Sequence, residues 1–102
     1  MGFRENSKEF KFVGKGATWL NSDSNKKIVK NTCDYAGVDL KNGSDGYGRT
    51  LNVVVRKGAK KDRYGNYDEL DVIGRFSDGE KCNTFLNGMY AATRLCNMKK
   101  RK

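Results

Sequence analysis

The chain has 102 residues, of which 36% are hydrophobic and 32% are charged, and its formal net charge is +9. This length predicts one domain with a modest core. The absence of histidine excludes a His/Cys zinc site, and no apolar run approaches the roughly 18 residues of a membrane span.

Three cysteines, Cys33, Cys82 and Cys96, are spread along the chain without a CxxC pair. An all-cysteine metal site lacks its fourth ligand, and an odd number of thiols does not make a closed set of disulfides. The N-terminal residues do not form the apolar core of a signal peptide. We therefore expect free thiols, no metal, no cofactor and a cytoplasmic location.

The first predicted element is a strand from Lys8 to Leu20, because apolar residues alternate there with a period of two. Two glycines within it predict a bulge or a bend. Lys11, Lys15 and Trp19 share one face of this strand. If that face is open, these residues form a platform for base stacking and phosphate contact; if a helix covers it, Trp19 belongs to the core.

A short helix is predicted next, over about residues 26–36, from apolar residues at helical spacing. Gly37 follows where a left-handed C-cap is expected. The segment 41–48, KNGSDGYG, is rich in glycine and predicts a turn. It lacks the Gly-Lys-Ser/Thr ending of a phosphate-binding loop.

The clearest pattern predicts a β-hairpin over about residues 50–76. Leu51, Val53 and Val55 alternate with other side chains, and a second alternating run follows from 69 to 76. The connection, about residues 57–67, is longer than the usual hairpin loop of about 2–5 residues. A long and strongly basic connection is more often functional than a short one.

A second helix is predicted over about residues 79–97, after a Ser-x-x-Glu capping pattern at 77–80. The basic tail 99–102 follows, so the domain is expected to span residues 1–98. The order of elements predicts an α+β fold, with an antiparallel sheet of three or more strands and two helices. The alternative is an OB-like β-barrel, in which the segment 38–50 forms a further strand.

The basic segments are the candidate nucleic-acid site. Residues 56–63 carry five cations and one anion, and the last four residues are all cationic. Lysine and arginine contact phosphates, and tyrosine rings stack on unpaired bases. The candidate residues are Arg56, Lys57, Lys60, Lys61, Arg63, Tyr64, Tyr67, Lys99, Lys100, Arg101 and Lys102. Alternatively, the acidic residues within 68–71 neutralise the start of the loop across the hairpin.

No set of residues predicts catalysis. Cys33 has no histidine to activate it as a nucleophile. The carboxylates within 68–71 need a further ligand from elsewhere to hold a divalent ion for phosphodiester chemistry. We therefore expect a protein that is not an enzyme.

Together these patterns predict a small intracellular nucleic-acid-binding module that holds phosphates with the basic hairpin loop and the C-terminal tail. Ring stacking favours single-stranded or distorted DNA or RNA. The alternative is a protein-interaction module, such as a phage-type inhibitor that occupies an acidic or nucleic-acid groove of a host enzyme. The same arginines and lysines fit a nucleic-acid partner and an acidic protein partner, because they bind carboxylates as well as phosphates. No membrane partner is expected, and the oligomeric state stays open.

Overall fold

The computed structural model describes residues 2–100, the last of these by its backbone alone. Its elements follow in the order β1 (Phe3–Arg4), α1 (Ala17–Leu20), α2 (Asp23–Ala36), β2 (Val38–Ser44), β3 (Thr50–Arg56), β4 (Asn66–Tyr67), a 3-10 turn (Glu69–Asp71), β5 (Val72–Phe76) and α3 (Gly79–Lys100). The fold is α+β, as the sequence predicts, and no closed barrel forms among the described residues.

The main sheet has three antiparallel strands in the order β2-β3-β5. β2 pairs with β3 along its whole length, with Asn42 opposite Asn52. β3 pairs with β5, with Val54 opposite Gly74, and the register shifts between Val54 and Val55. The predicted hairpin is therefore confirmed, although its two strands are joined by a connection that forms structure of its own.

Two apolar cores lie on the two faces of this sheet, because side chains alternate along β3. Val54 faces the helices, whereas Val53 and Val55 face the other way. The larger core contains Phe12, Leu20, Val29, Cys33, Val38, Val54, Cys82 and Leu86. The smaller core contains Phe3, Val53, Val55 and Tyr67, so the N-terminal strand and the long connection cover the second face.

The two predicted helices are present and both are longer than expected. α2 begins at Asp23 and ends before Gly37, whose φ of 75° provides the predicted left-handed C-cap. α3 continues through residue 97 to Lys100. At its start the Asp78 carboxylate accepts from the N–H groups of Glu80 and Lys81, at 2.8 and 3.3 Å, so Asp78 caps this helix in place of the expected serine.

The predicted strand from Lys8 to Leu20 is wrong. Residues 11–13 cross the sheet, and their backbone groups bond to asparagine side chains in place of a neighbouring strand. Gly14 and Gly16 then turn the chain with φ angles of 82° and 81°, and α1 follows. The period-two pattern therefore did not mark a strand, because alternation of apolar and polar residues does not require a neighbouring strand.

The predicted turn over 41–48 is correct only in its second half. β2 occupies the chain as far as Ser44, with Asn42 and Gly43 buried, and the turn begins at Asp45. The strand anticipated within 38–50 therefore exists, but it joins an open sheet. None of the helices described within residues 2–100 combines the length and the hydropathy needed to span a bilayer.

Candidate nucleic-acid interface

The connection between β3 and β5 folds back over the sheet. β4 pairs with β1, which sets Tyr67 opposite Phe3. The backbone of Lys61 forms an isolated antiparallel β-bridge with that of Tyr67. The Tyr67 ring stacks on Phe3 with centroids 5.0 Å apart, and Tyr67 is only 5% exposed. The expectation that Tyr67 offers a surface to a base is therefore wrong, because side chains of the same molecule already cover its ring.

The two cations at the start of the connection are paired within the molecule. The Arg56 guanidinium bonds to the Asp71 carboxylate, so Arg56 is neutralised across the hairpin. The Lys57 ammonium lies 2.8 Å from a carboxylate oxygen of Asp34 on α2. This hydrogen bond lowers the pKa of Asp34 and raises the pKa of Lys57. Both cations thus tie the connection to the body of the protein.

Lys61 is held by an acid whose side chain is largely shielded from solvent. The Glu5 side chain is only 9% exposed and pairs with Lys61 at 2.7 Å and with Lys41 at 3.8 Å. The hydrogen bond to Glu5 raises the pKa of Lys61. Both ammonium groups also lie about 6 Å from the centroid of the Tyr67 ring. Lys61 therefore neutralises a shielded carboxylate. A ligand that took this ammonium group would weaken the pairing of Glu5, so Lys61 is poorly placed to bind one.

Lys60, Arg63 and Tyr64 are the predicted loop residues that stay open to solvent. Lys60 and Arg63 are exposed and form no ion pair with any residue in the range 2–100. The Arg63 guanidinium lies 4.9 Å from the centre of the Tyr64 ring. Tyr64 is 64% exposed. A guanidinium and an open ring therefore lie together at the tip of the connection.

A tight turn at residues 62–66, the Asp62 turn, presents this tip. One carboxylate oxygen of Asp62 accepts from the N–H groups of Tyr64 and Asn66, at 2.8 and 3.0 Å. The Asp62 N–H donates to the Asn66 carbonyl, and Gly65 has a φ of 82°. An aspartate that bonds its own backbone two residues on is typical of such turns. These bonds fix the backbone from which Tyr64 projects.

The turn between β2 and β3, residues 45–49 or the Asp45 turn, has the same bonding. Asp45 accepts from the N–H groups of Tyr47 and Arg49, at 2.8 and 2.9 Å, and its own N–H donates to the Arg49 carbonyl. Gly48 has a φ of 82°. Tyr47 is 91% exposed, and Arg49 is exposed and unpaired among the described residues. Sequence reasoning missed Tyr47 and Arg49, although the pattern Asp-x-Tyr-Gly occurs at both turns.

Arg4 on β1 lies between the two turns and was also missed. It lines a groove of about 730 Å³ beside Lys60 and Asn66, and a second groove of about 750 Å³ beside Asp45. A methyl group built on Gly65 would come within 3.8 Å of the Arg4 Nε atom, so the guanidinium adjoins the Asp62 turn. Arg4 is exposed and forms no ion pair within the described range.

The platform of Lys11, Lys15 and Trp19 does not form as predicted, because the strand that aligned these residues is absent. Lys11 lies in the segment that crosses the sheet, Lys15 lies in a turn where it pairs with Glu80 at 3.7 Å, and Trp19 lies on α1. Trp19 is 65% exposed and therefore is not part of the core. No ring contact or ion pair joins the three among the described residues.

The predicted tail is partly helical. Lys99 and the backbone of Lys100 belong to the last turn of α3, and Lys99 is exposed. Arg101 and Lys102 lie outside the described residues. The contribution that the sequence predicts for these four cations stays a prediction.

Six exposed cations and tyrosines lie on β1, on the two turns or in the connection, and none of these cations has an acidic partner among the described residues. The set, called the two-turn face below, consists of Arg4, Tyr47, Arg49, Lys60, Arg63 and Tyr64. No group of three His, Cys, Asp or Glu side chains suited to a metal converges anywhere in residues 2–100. A scan against models of protein families, a search of curated proteins and a search of solved structures found no match to this chain.

Proposed function

We propose that this protein is a small, non-enzymatic nucleic-acid-binding module that contacts phosphates through the two-turn face. The observation that carries the proposal is that Arg4 and Lys60 line one groove beside the Asp62 turn, on which the Arg63 guanidinium lies 4.9 Å from the centre of the Tyr64 ring. None of these cations has an acidic partner in the described part of the chain. Cations left free by the protein are the ones that can exchange counterions for phosphates.

The paired cations of the connection support the proposal in a different way. Three cations of the connection form ion pairs with carboxylates elsewhere in the fold, and these pairs fix the connection against the sheet. The pairs are Arg56 with Asp71, Lys57 with Asp34 and Lys61 with Glu5. A fixed backbone presents the free groups in one arrangement, so less conformational entropy is lost when a ligand binds. Arginine further supplies a planar fork that matches phosphate oxygens.

The test is the salt dependence of binding. Fluorescence anisotropy with labelled DNA and RNA oligonucleotides at several salt concentrations gives the slope of log affinity against log salt. For a single strand, the slope changes by about 0.7 for each phosphate neutralised. Replacing Arg4, Lys60 and Arg63 together by alanine is therefore expected to flatten the slope by about 2.

The matched control removes three exposed, unpaired cations elsewhere, by Lys8→Ala, Lys27→Ala and Lys81→Ala. Both triple variants have the same net charge, so a general field effect changes both slopes equally. A site at the two-turn face predicts a larger change in the first variant. Equal slopes in the two variants, or no binding at low salt, contradict the proposal.

One observation favours a second candidate, an interaction module for an acidic protein surface. In the distal half of α3, Tyr90, Leu95 and Met98 are exposed, and no acidic residue follows Glu80 in the sequence. Apolar side chains among cations fit a partner with an apolar patch and an acidic rim. A protein partner that resists nuclease treatment, tolerates Tyr64→Ala and is lost on Leu95→Gln with Met98→Gln would favour this candidate.

A further inference from the structure

The two aspartate turns present their tyrosines in the same way. In each turn a carboxylate oxygen of the aspartate accepts from the N–H groups two and four residues later, and a glycine with a φ of 82° follows the tyrosine. Equal bonding means that Tyr47 and Tyr64 leave the backbone from equivalent positions. The Asp45 turn therefore repeats the backbone arrangement of the tip, with Gly46 at the position that Arg63 has in the Asp62 turn.

Neither tyrosine ring contributes to the packing of the protein. Tyr47 is 91% exposed and makes no ring contact with the described residues, and Tyr64 is 64% exposed with the Arg63 guanidinium 4.9 Å from its ring centre. Both hydroxyl groups are also free of hydrogen bonds within residues 2–100. The turns themselves need only the aspartate and the glycine. Two open aromatic rings on fixed supports are thus available to a ligand with flat faces.

The turns are connected by one surface. The groove beside the Asp62 turn and the groove beside the Asp45 turn share Gly2, Phe3 and Arg4 in their walls. The Arg4 guanidinium is the free charge in this shared wall. Each turn also carries its own arginine, Arg63 or Arg49. Beyond Arg4 each groove reaches the aspartate of one turn, Asp62 or Asp45, whose carboxylate is engaged by backbone N–H groups of that turn. An extended anionic polymer that crosses Arg4 therefore has a turn with a tyrosine and an arginine at either end.

We infer that the two-turn face takes single-stranded nucleic acid, with one base stacked on Tyr47, another on Tyr64 and the phosphates between them on Arg4. This inference rests on the proposed function and names its substrate class. Stacking on a protruding ring needs an unpaired base, whereas the bases of a duplex are already stacked inside the helix. Stacking is tolerant of sequence because every base has a flat face, so little base specificity is expected.

The experiment measures the affinity of fluorescein-labelled oligothymidylates of increasing length for Tyr47→Ala, Tyr64→Ala and the double variant. Tyr47→Phe and Tyr64→Phe are the matched controls, because they keep the ring and remove only the hydroxyl. A lost stack is expected to weaken binding about 5- to 100-fold. Both positions are exposed, so the variants keep the fold, and circular dichroism verifies this.

The length series separates two sites from one. A short oligothymidylate reaches one ring at a time, so either single variant keeps a binding ring and loses little affinity. A long oligothymidylate spans both turns, so each alanine variant weakens its binding, whereas the phenylalanine variants bind like the unchanged protein. A DNA hairpin of the same length, whose bases are paired, is expected to bind more weakly than the long single strand.

The outcomes distinguish this inference from the proposed function. If oligothymidylates bind with the expected salt dependence but Tyr47→Ala has no effect at any length, the two-turn inference is overturned and the proposed function stands. Tighter binding of the hairpin than of the single strand overturns it equally. If no nucleic acid binds at low salt, both fail.

Discussion

The side-chain amide of Asn52 makes both of the hydrogen bonds that the backbone of Val13 offers. Its oxygen accepts from the Val13 N–H at 2.9 Å, and its nitrogen donates to the Val13 carbonyl at 3.0 Å. Asn42 does the same for Lys11, and Asn21 does so for Phe12. Three consecutive residues are therefore held by three side-chain amides, which replace the ladder of a neighbouring strand.

Asn52→Ala is expected to lower the free energy of unfolding by about 3 kcal/mol, because it leaves three backbone groups of the half-buried residues Val13 and Phe76 without their partner. Asn52 is fully buried and also donates to the Phe76 carbonyl at 3.1 Å, so it joins the crossing segment to β5 as well. Urea denaturation followed by circular dichroism measures the change. Asn31→Ala, on the exposed face of α2, is the control and should have little effect. A loss below about 1 kcal/mol at Asn52 would show that water replaces the amide.

Gly88→Ala is expected to stabilise the protein by about 1 kcal/mol. Gly88 lies inside α3, and nothing lies within 4 Å of the position that its Cβ would take. Alanine there reduces the entropy of the unfolded chain without a clash. Gly58 also has open space but a φ of 83°, so Gly58→Ala should destabilise through backbone strain alone. Opposite shifts of the two melting temperatures would confirm the account, and equal shifts would contradict it.

Cys96 is expected to be the fastest cysteine to react with iodoacetamide in the folded protein. Burial raises the pKa of Cys33 to about 11 and that of Cys82 to about 12, whereas Cys96 is exposed. The thiolate is the reacting form, so the two buried thiols are both shielded and protonated near neutral pH. Mass spectrometry should find one adduct in the native protein and three in guanidinium chloride. Cys96→Ser should remove the native adduct, and rapid labelling of Cys33 would contradict its burial.

The coupling between Asp34 and Lys57 is expected to depend on pH in both directions. The pKa of Asp34 is lowered by its hydrogen bond, so this contribution to stability is present above the unfolded pKa and is lost as the pH falls through the folded value. The pKa of Lys57 is raised, so the contribution is also lost as the pH rises through that folded value. A double-mutant cycle with Asp34→Asn and Lys57→Gln, measured at neutral pH and in acid, checks this. A coupling that is unchanged in acid would contradict it.

The hairpin, α2 and α3 could be predicted because each has a local signal. Val53 and Val55 alternate along β3, and Gly37 ends α2 at the expected residue. The segment from Lys8 to Leu20 could not be predicted in the same way. Its partners are asparagine side chains, two of which, Asn42 and Asn52, come from distant parts of the chain. An alternating pattern does not distinguish a ladder of strands from such partners.

The candidate interface likewise contains residues that a local sequence signal indicates and residues whose place depends on contacts between distant parts of the chain. Arg63 and Tyr64 were candidates from the sequence, because cations and aromatic residues are close together in the basic loop, and both are exposed in the structure. The sequence could not show that Lys57 and Lys61 are paired while Arg63 is free, because their partners Asp34 and Glu5 lie far away in the chain. Tyr47 had a local signal, the Asp-x-Tyr-Gly pattern shared with the Asp62 turn. Arg4 had none, because its place beside Gly65 depends on the pairing of β1 with β4.

The sequence by itself determined the α+β class, the surplus of positive charge, the two helices and the central hairpin, because periodicity, turn residues and composition act over a few neighbouring residues. The tertiary structure decided which charges are free and which rings are open. Those properties depend on pairs such as Lys61 with Glu5 and Tyr67 with Phe3, which only the folded chain brings together. A charge neutralised across the fold and a charge open to solvent look alike in the sequence.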